Sequence, residues 1–579
     1  MVARNHQELA GHVAPAPDER PAAARLRARL CWAGGTLLAA AVLMACYLRI
    51  AGTVSVTSDG AGNALEAWDM FHHDLLLHGW WVTDVSFYTT ELPQYALVEV
   101  VAGLRPEVVH ICAAMTYTLL VLLAAFVARG RVGGARGAVC ALIAGGVMLA
   151  PEPGGVTGVL FSSPDHVGTA VPVLVLLLLL DWARPRWWVP ALALLLLTAA
   201  IVGDPLIEVI GVLPLAALCL ARVASAVLRG RGSLRSQWYE LSLGCAAIVA
   251  VPAAAAANRL IVALGGFSTN AGNWGLVSPA TLRSNIPMAA RSFLSLFGAD
   301  VVGARGGLQQ AFAVVHLAGV ALVVAALALA AGRLLRSLVS PSPTRPHSPS
   351  PSGPQSRGQG AHAAVAAPAA ADLVTSLLLL AIVCNLALYV FMYPDRNIYD
   401  EHEIGPVLAL GAALAGRQLG GPLLALRWRP LRAGLAAALA AGLACYAVML
   451  GYAADRPQQA PANAAVAAWL SEHHLRRGLA EYWEASSVTV DTGGAVVIGS
   501  VGPDPGGLAP WHWEMDMRIF DPATRSANFV LSMPGDVVSP ARAELAFGRP
   551  ARVYHFGVYT ILVWNKNILR DLGRPIPTT

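Results

Sequence analysis

Apolar residues dominate this chain in long unbroken runs and then stop. Eleven runs reach or approach membrane-spanning length: 30–50, 106–128, 136–151, 167–181, 187–202, 204–221, 239–263, 308–332, 371–393, 404–419 and 431–453. The bilayer core is ~30 Å thick and a helix rises ~1.5 Å per residue, so a span needs about 20 apolar residues. The third, fourth, fifth and tenth runs fall short of that, and the count carries a margin of one or two there. From residue 454 the pattern changes to short segments. Ala465 to His474 predicts a helix, and Ser487 to Val501 alternates around Thr492-Gly493-Gly494 and predicts a hairpin. Asn528 to Ser532 predicts a strand, and Ser539 to Phe547 a helix closed by Gly548. Val553 to Trp564 predicts a strand pair or one long strand. The fold class is therefore an α-helical polytopic membrane protein with about eleven spans and a small C-terminal α/β domain.

Composition agrees. Of 579 residues, 56% are hydrophobic and 13% charged, about half the charged share of a soluble domain. That excludes a soluble enzyme, a disordered chain and a nucleic-acid binder. The distribution of charge orients the spans. All but one of the 40 basic residues are arginines, and 22 of these fall in 1–29, 129–136, 181–187, 222–238, 333–370 and 417–432. Five arginines occupy the alternate segments before the last span. By the positive-inside rule the N-terminus is cytoplasmic and the C-terminal domain extracytoplasmic, in a plasma membrane. Residues 1–29 form a basic cytoplasmic tail, 30–453 the membrane domain and 454–579 the outer α/β domain. The run 340–368 is Ser/Pro-rich, cannot bury a core, and reads as a disordered cytoplasmic linker. The run beginning at Leu30 is too long for a signal-peptide core and reads as a retained first span. All eight cysteines lie in apolar runs or at their ends, so neither a disulfide framework nor a thiolate metal site is expected.

The first outer loop, 52–93, holds six acids (Asp59, Glu66, Asp69, Asp74, Asp84 and Glu91) and no basic residue. Asp59 follows the first span by about nine residues; Ser-Asp-Gly is also good turn chemistry. Asn63 to Leu77 predicts an amphipathic helix in the interface plane, with Leu65, Trp68, Phe71 or His72, Leu75 and Leu76 on one face and Trp80 and Trp81 at headgroup level. Glu66, Asp69 and His73 share its polar face; they are weak candidates for a divalent cation and otherwise a solvated face. Asp84 and Glu91 are candidates for lining an acceptor groove. Asp165-His166 stands before the fourth span, where Asp165 reads as a helix cap and His166 as a donor to a sugar or phosphate. Asp204 and Glu208 are one turn apart at the start of the sixth span, where Gly-Asp-Pro is also a helix-start signal. Arg396, His402 and Glu403 lie in or beside the short segment leading into the tenth span. In the outer domain Tyr482, Trp483, Trp511 and Trp513 are a candidate sugar platform, although aromatics in a small domain are commonly core.

A first span, an acid shortly outside it, an interfacial helix (Asn63 to Trp81) and an aromatic–charged–proline re-entry (Tyr88 to Pro93, YTTELP) together resemble the GT-C membrane glycosyltransferases. The order is most similar to the protein mannosyltransferase and aminoarabinose transferase family, glycosyltransferase family 39. The resemblance is good over about 30–130 and follows span layout to about 453. It departs where the family carries a second acid beside the first, since Asp59 is followed by Gly60, and where the turn is commonly basic, since here it is Glu91. The resemblance implies a polyprenyl-phosphate-linked sugar donor, an envelope glycan, lipid or protein acceptor, Asp59 as catalytic base, and a cation, best Arg396, for the leaving phosphate. Asp84, Glu91, His166, His402 and Glu403 then become substrate-binding candidates. No cofactor is certain; a divalent cation is the one candidate. A lipid or glycolipid transporter, or a non-catalytic glycan-binding envelope protein, are the alternatives. A transporter should place polar residues at mid-membrane and show related halves, whereas here the acids gather at span ends.

Overall fold

The computed structural model describes residues 22–72, 74–229, 233–270, 275–339, 372–392 and 398–575. Most of the basic tail, the Ser/Pro linker, His73 and Arg396 lie outside the described residues. Every predicted apolar run forms a helix. Among the described residues nine helices are long and apolar enough to cross a membrane. The third and fifth runs form shorter helices, Gly134–Met148 and Trp188–Gly203. Both nevertheless run from one end of the bundle to the other. At one end Tyr47 donates to Leu149 O (2.9 Å) and His166 meets Asp204 (2.9 Å). At the opposite end Arg131 donates to Trp182 O (2.7 Å), and Arg417 ties Asp181, Asp372 and Val127 O together at 2.8–2.9 Å.

Close helix approach explains how a short helix stays in the bundle. A methyl on Gly416 would lie 2.3 Å from the Cys140 carbonyl oxygen, and one on Gly420 3.0 Å from the Cys140 amide nitrogen. The Gly-x-x-x-Gly spacing on Pro406–Ala425 thus brings its backbone against that of Gly134–Met148. In lipid no hydrophobic force drives helices together, so such small-residue contact supplies the packing.

The first loop departs from expectation in an instructive way. Its helix is Ser58–Phe71, five residues earlier than predicted, and Asp59 sits in its first turn. Its buried face is the small and polar one: Ser58, Gly60, Ala61, Gly62, Asn63, Ala64, Glu66 and Ala67. Of the expected apolar stripe, Phe71 is 56% exposed, Leu65 packs against the first-loop core, and Leu75 and Leu76 lie beyond the helix. Trp80 and Trp81 are engaged by the C-terminal domain. They form a two-residue strand antiparallel to Met515–Asp516 of the C-terminal domain. A second helix, Pro279–Leu296, was not expected; its polar positions hide its period, and Ser278 caps it by accepting from the Thr281 N–H (3.1 Å).

After Ala454 the chain builds a six-stranded mixed sheet. Arg477–Ala480 is central, parallel to both Val497–Asp504 and Phe529–Ser532. The predicted hairpin at 487–501 is instead the end of helix Tyr482–Asp491, a glycine turn and a strand. The β-branched run Val488-Thr489-Val490 alternates like a strand but is buried all round between sheet and loop, where periodicity loses its meaning. This helix is the crossover between two parallel strands, and it lies against Ser58–Phe71.

Candidate functional site

The site forms where the first-loop helix meets the C-terminal domain. Thr57 caps the helix by accepting from the Gly60 N–H, and Ser58 donates to the Tyr482 carbonyl at 2.6 Å. Asp59 is thereby fixed beneath Tyr482, whose hydroxyl contacts Asp59 Oδ1 at 2.5 Å and Glu514 Oε2 as well. A phenol has one proton to donate. Bridging two carboxyl groups therefore requires that one of them be protonated and donate back. Glu514 is that group: its burial, with Asp59 and Glu66 nearby, holds its pKa well above the usual carboxylate range. Burial, reinforced by Asp165 and opposed by the Tyr482 hydrogen bond, raises Asp59 to about 6. The result is a neutral acid and a titrating one on a single tyrosine.

The residue beside Asp59 in sequence is Gly60, and the second carboxyl group on Tyr482 comes from position 514. The reason is steric. A methyl on Gly60 would lie 2.9 Å from the Ser162 carbonyl oxygen, so no side chain fits there. Two residues on, Gly62 leaves the gap that the Glu514 side chain fills, where an added methyl would lie 2.2 Å from its carboxyl carbon. Glu514 is held in the left-handed region at φ 47°, a conformation that costs a non-glycine residue of order 1–3 kcal/mol. Strand pairing at Trp80–Asp516 and the stack of Trp81 on His512, 4.1 Å apart at 11°, hold the turn in place. Gly62→Ala is expected to displace Glu514 and lower turnover about 10²-fold, the usual cost of a ~1 Å misplacement. Gly451→Ala, on a helix with open space at that position, should keep full activity; turnover assays and melting curves of both variants check this.

Beside this pair lies a second cluster. Asn63 donates to Asp165 Oδ1 at 3.4 Å and so links the loop helix to the start of the Asp165–Trp182 helix pair. The next residue, His166, meets Asp204 through Nδ1 at 2.9 Å. Asp204 also accepts from the Thr169 hydroxyl and from the Leu206 N–H at 2.8 Å. With Nδ1 committed, His166 Nε2 points at Glu403 (3.8 Å), and the His402 ring stacks on His166 at 5.7 Å. One ligand atom from each of His166, His402 and Glu403 lies within 4.8 Å of the others. Two imidazoles and one carboxylate, with a buried carboxylate fixing one imidazole, is a donor set that fits a divalent transition metal such as zinc.

The predicted residues divide accordingly. Asp59, His166, His402 and Glu403 converge. Asp84 is half-buried, and burial raises its pKa, with His166 opposing. Glu91 does not line an open groove: it is 4% exposed, abuts Gly168, and burial raises its pKa to about 8. The first-loop cation candidates separate. Glu66 is buried beside Glu514, while Asp69 accepts from Trp80 Nε1 (2.9 Å) and pairs with Arg518 (3.4 Å). Sequence reasoning missed Glu514 altogether; it read Asp165 as a helix cap and held Asp204 as either a functional acid or a helix start, and Asp204 does cap the Leu206 N–H while also holding His166. Only the spacing of small residues in Ser58-Asp-Gly-Ala-Gly-Asn hinted that something packs closely there.

No protein-family model matches the chain, and no curated protein matches it. Several solved structures resemble it, among them these two. One is ArnT from Cupriavidus metallidurans bound to undecaprenyl phosphate, with TM-score 0.38, 14% identity, and 94% of this chain and 99% of that chain covered. The other is the archaeal oligosaccharyltransferase AglB from Archaeoglobus fulgidus in complex with an inhibitory peptide and a dolichol-phosphate. It has TM-score 0.41 and 11% identity, with 86% of this chain and 69% of that chain covered.

Proposed function

We propose that this chain is an integral membrane glycosyltransferase that moves a sugar from a polyprenyl-phosphate-linked donor to an envelope acceptor on the outer face. The observation that carries the reading is the Asp59–Tyr482–Glu514 arrangement at the end of the bundle. The arginine distribution supports an outward-facing site, with the N-terminus cytoplasmic.

Asp59 is the base. Its carboxylate takes the proton of an acceptor hydroxyl as the oxygen attacks the anomeric carbon. The bond from that carbon to the phosphate oxygen breaks, and the polyprenyl phosphate leaves with the electron pair. Tyr482 holds Asp59 in place, and neutral Glu514 avoids a second charge that would compete for the proton. A divalent cation bound by His166, His402 and Glu403 would supply positive charge near the leaving phosphate. A glycolipid transporter is less well supported, because these groups gather at one end of the bundle rather than at its middle.

The test is donor consumption by the purified protein in nanodiscs, using polyprenyl-phosphate-linked sugars, together with envelope glycan analysis of a deletion strain. Since a base must be deprotonated to act, kcat/KM should fall as pH drops through about 6, the value at Asp59, and level off above it. No donor consumption and no altered glycan would remove the transferase reading.

A further inference from the structure

The cation cluster and the aromatic residues approach Asp59 from different parts of the chain. His166, Asp204, His402 and Glu403 belong to the ends of membrane helices and the turns beside them. Tyr482, Trp483 and Trp511 belong to the domain that follows the last span. These three rings touch: Tyr482 lies edge-on to Trp483 at 5.1 Å and 68°, and to Trp511 at 5.7 Å and 69°. The central ring is buried, with its hydroxyl on Asp59. Its flanking neighbours are open: Trp483 is 53% exposed and Trp511 half-buried. The described residues leave both indole N–H groups undonated, unlike those of Trp80, Trp81 and Trp564, which each find a protein acceptor.

A packed-core role does not explain an indole that keeps both a free face and a free donor. A buried Trp N–H finds a partner, and an apolar face in a small domain is covered. A saccharide satisfies both requirements. The C–H face of a pyranose stacks on an aromatic ring, and its hydroxyls accept from N–H groups and donate to carboxylates. The platform is contiguous with the phenol that holds Asp59, so a ring seated on it lies beside the residue that contacts the base. It is also built from residues after the last span, so whatever it holds arrives from the aqueous side rather than from the lipid.

We propose that the acceptor is a saccharide, bound by stacking on Trp483 and Trp511 with one hydroxyl directed to Asp59. This rests on the transferase reading of Asp59 and adds the acceptor's chemical class to it. The experiment is equilibrium binding of neutral oligosaccharides (mannan, arabinan, galactan and glucan fragments) to the full-length protein in nanodiscs, in parallel with donor consumption. At least one fragment should bind, and it should accelerate donor consumption. Trp483→Ala, at an exposed position, should weaken binding about 5- to 10-fold with an unchanged melting curve. Trp511→Phe, which keeps a ring but no N–H, should weaken it less. Asp59→Asn should bind the same fragment and not use it. Asp59-dependent donor consumption with no saccharide bound, or binding indifferent to both tryptophans, overturns the proposal and leaves the transferase reading standing. Tryptophan-dependent binding with donor consumption that ignores Asp59 overturns both.

Discussion

Replacing Asp59 with Asn is expected to slow sugar transfer by about 10²- to 10⁴-fold, the range that a positioned general base contributes, without unfolding the site. The two side chains have the same shape. The amide oxygen of Asn can still accept from Tyr482, and Thr57 and Ser58 still fix the helix turn. What is lost is the capacity to take a proton near pH 6, together with the acidic limb of the pH profile. Glu514→Gln is the informative contrast. Glu514 is held neutral by burial and by Asp59, so exchanging its hydroxyl for an amide keeps the charge and most of the shape. It should cost about tenfold or less, well short of the loss at Asp59. Single-turnover transfer from a labelled donor measures both, with donor binding determined separately. Equal losses at the two positions would mean that they share one proton symmetrically; an unchanged rate at Asp59→Asn would take that residue out of the mechanism.

The membrane part of this fold was legible because lipid imposes one rule on every span: about 20 apolar residues closed into a helix. Even the two short helices were found, since Trp188–Gly203 and, after Arg136, Gly134–Met148 are almost wholly apolar. The site was legible only in its local half. Asp59, His166, His402 and Glu403 announce themselves as polar residues at the ends of apolar runs. Glu514 does not, because its significance depends on a gap at Gly62 about 450 positions earlier, and no local pattern encodes that. The same reason explains the misread hairpin. Val488 and Val490 alternate with polar residues, yet the helix is buried on two sides, against its own sheet and against the first loop. Burial from outside the domain erased the amphipathic signal. The first-loop helix is a further case. Its expected apolar stripe extends past the observed helix, and the small and polar residues Ser58 to Ala67 form the packed face instead.

The other large effect belongs to Asp204, which carries no exposed surface and no direct contact with the acid pair. It is at once an acceptor for the Leu206 N–H, for the Thr169 hydroxyl and for His166 Nδ1. Asp204→Ala would leave these groups buried without a partner, and loss of one side of such a buried pair costs about 3–5 kcal/mol; a melting curve should show a large drop. Asp204→Asn separates stability from function. Its amide oxygen can still accept from Leu206, but its NH₂ cannot accept from His166. Nδ1 then loses its acceptor, and the ring is no longer held in the orientation that aims Nε2 at Glu403. The folded variant should therefore bind zinc 10- to 100-fold more weakly, as loss of an orienting carboxylate does elsewhere, with calorimetric titration of the purified protein as the readout. His402→Ala should weaken zinc binding too, by removing a ligand outright. If zinc binds Asp204→Asn and His402→Ala as it binds the parent, then His166, His402 and Glu403 are not a cation site. Asp204 is then the anchor of a helix start, and the charge of the leaving phosphate must be met by other groups.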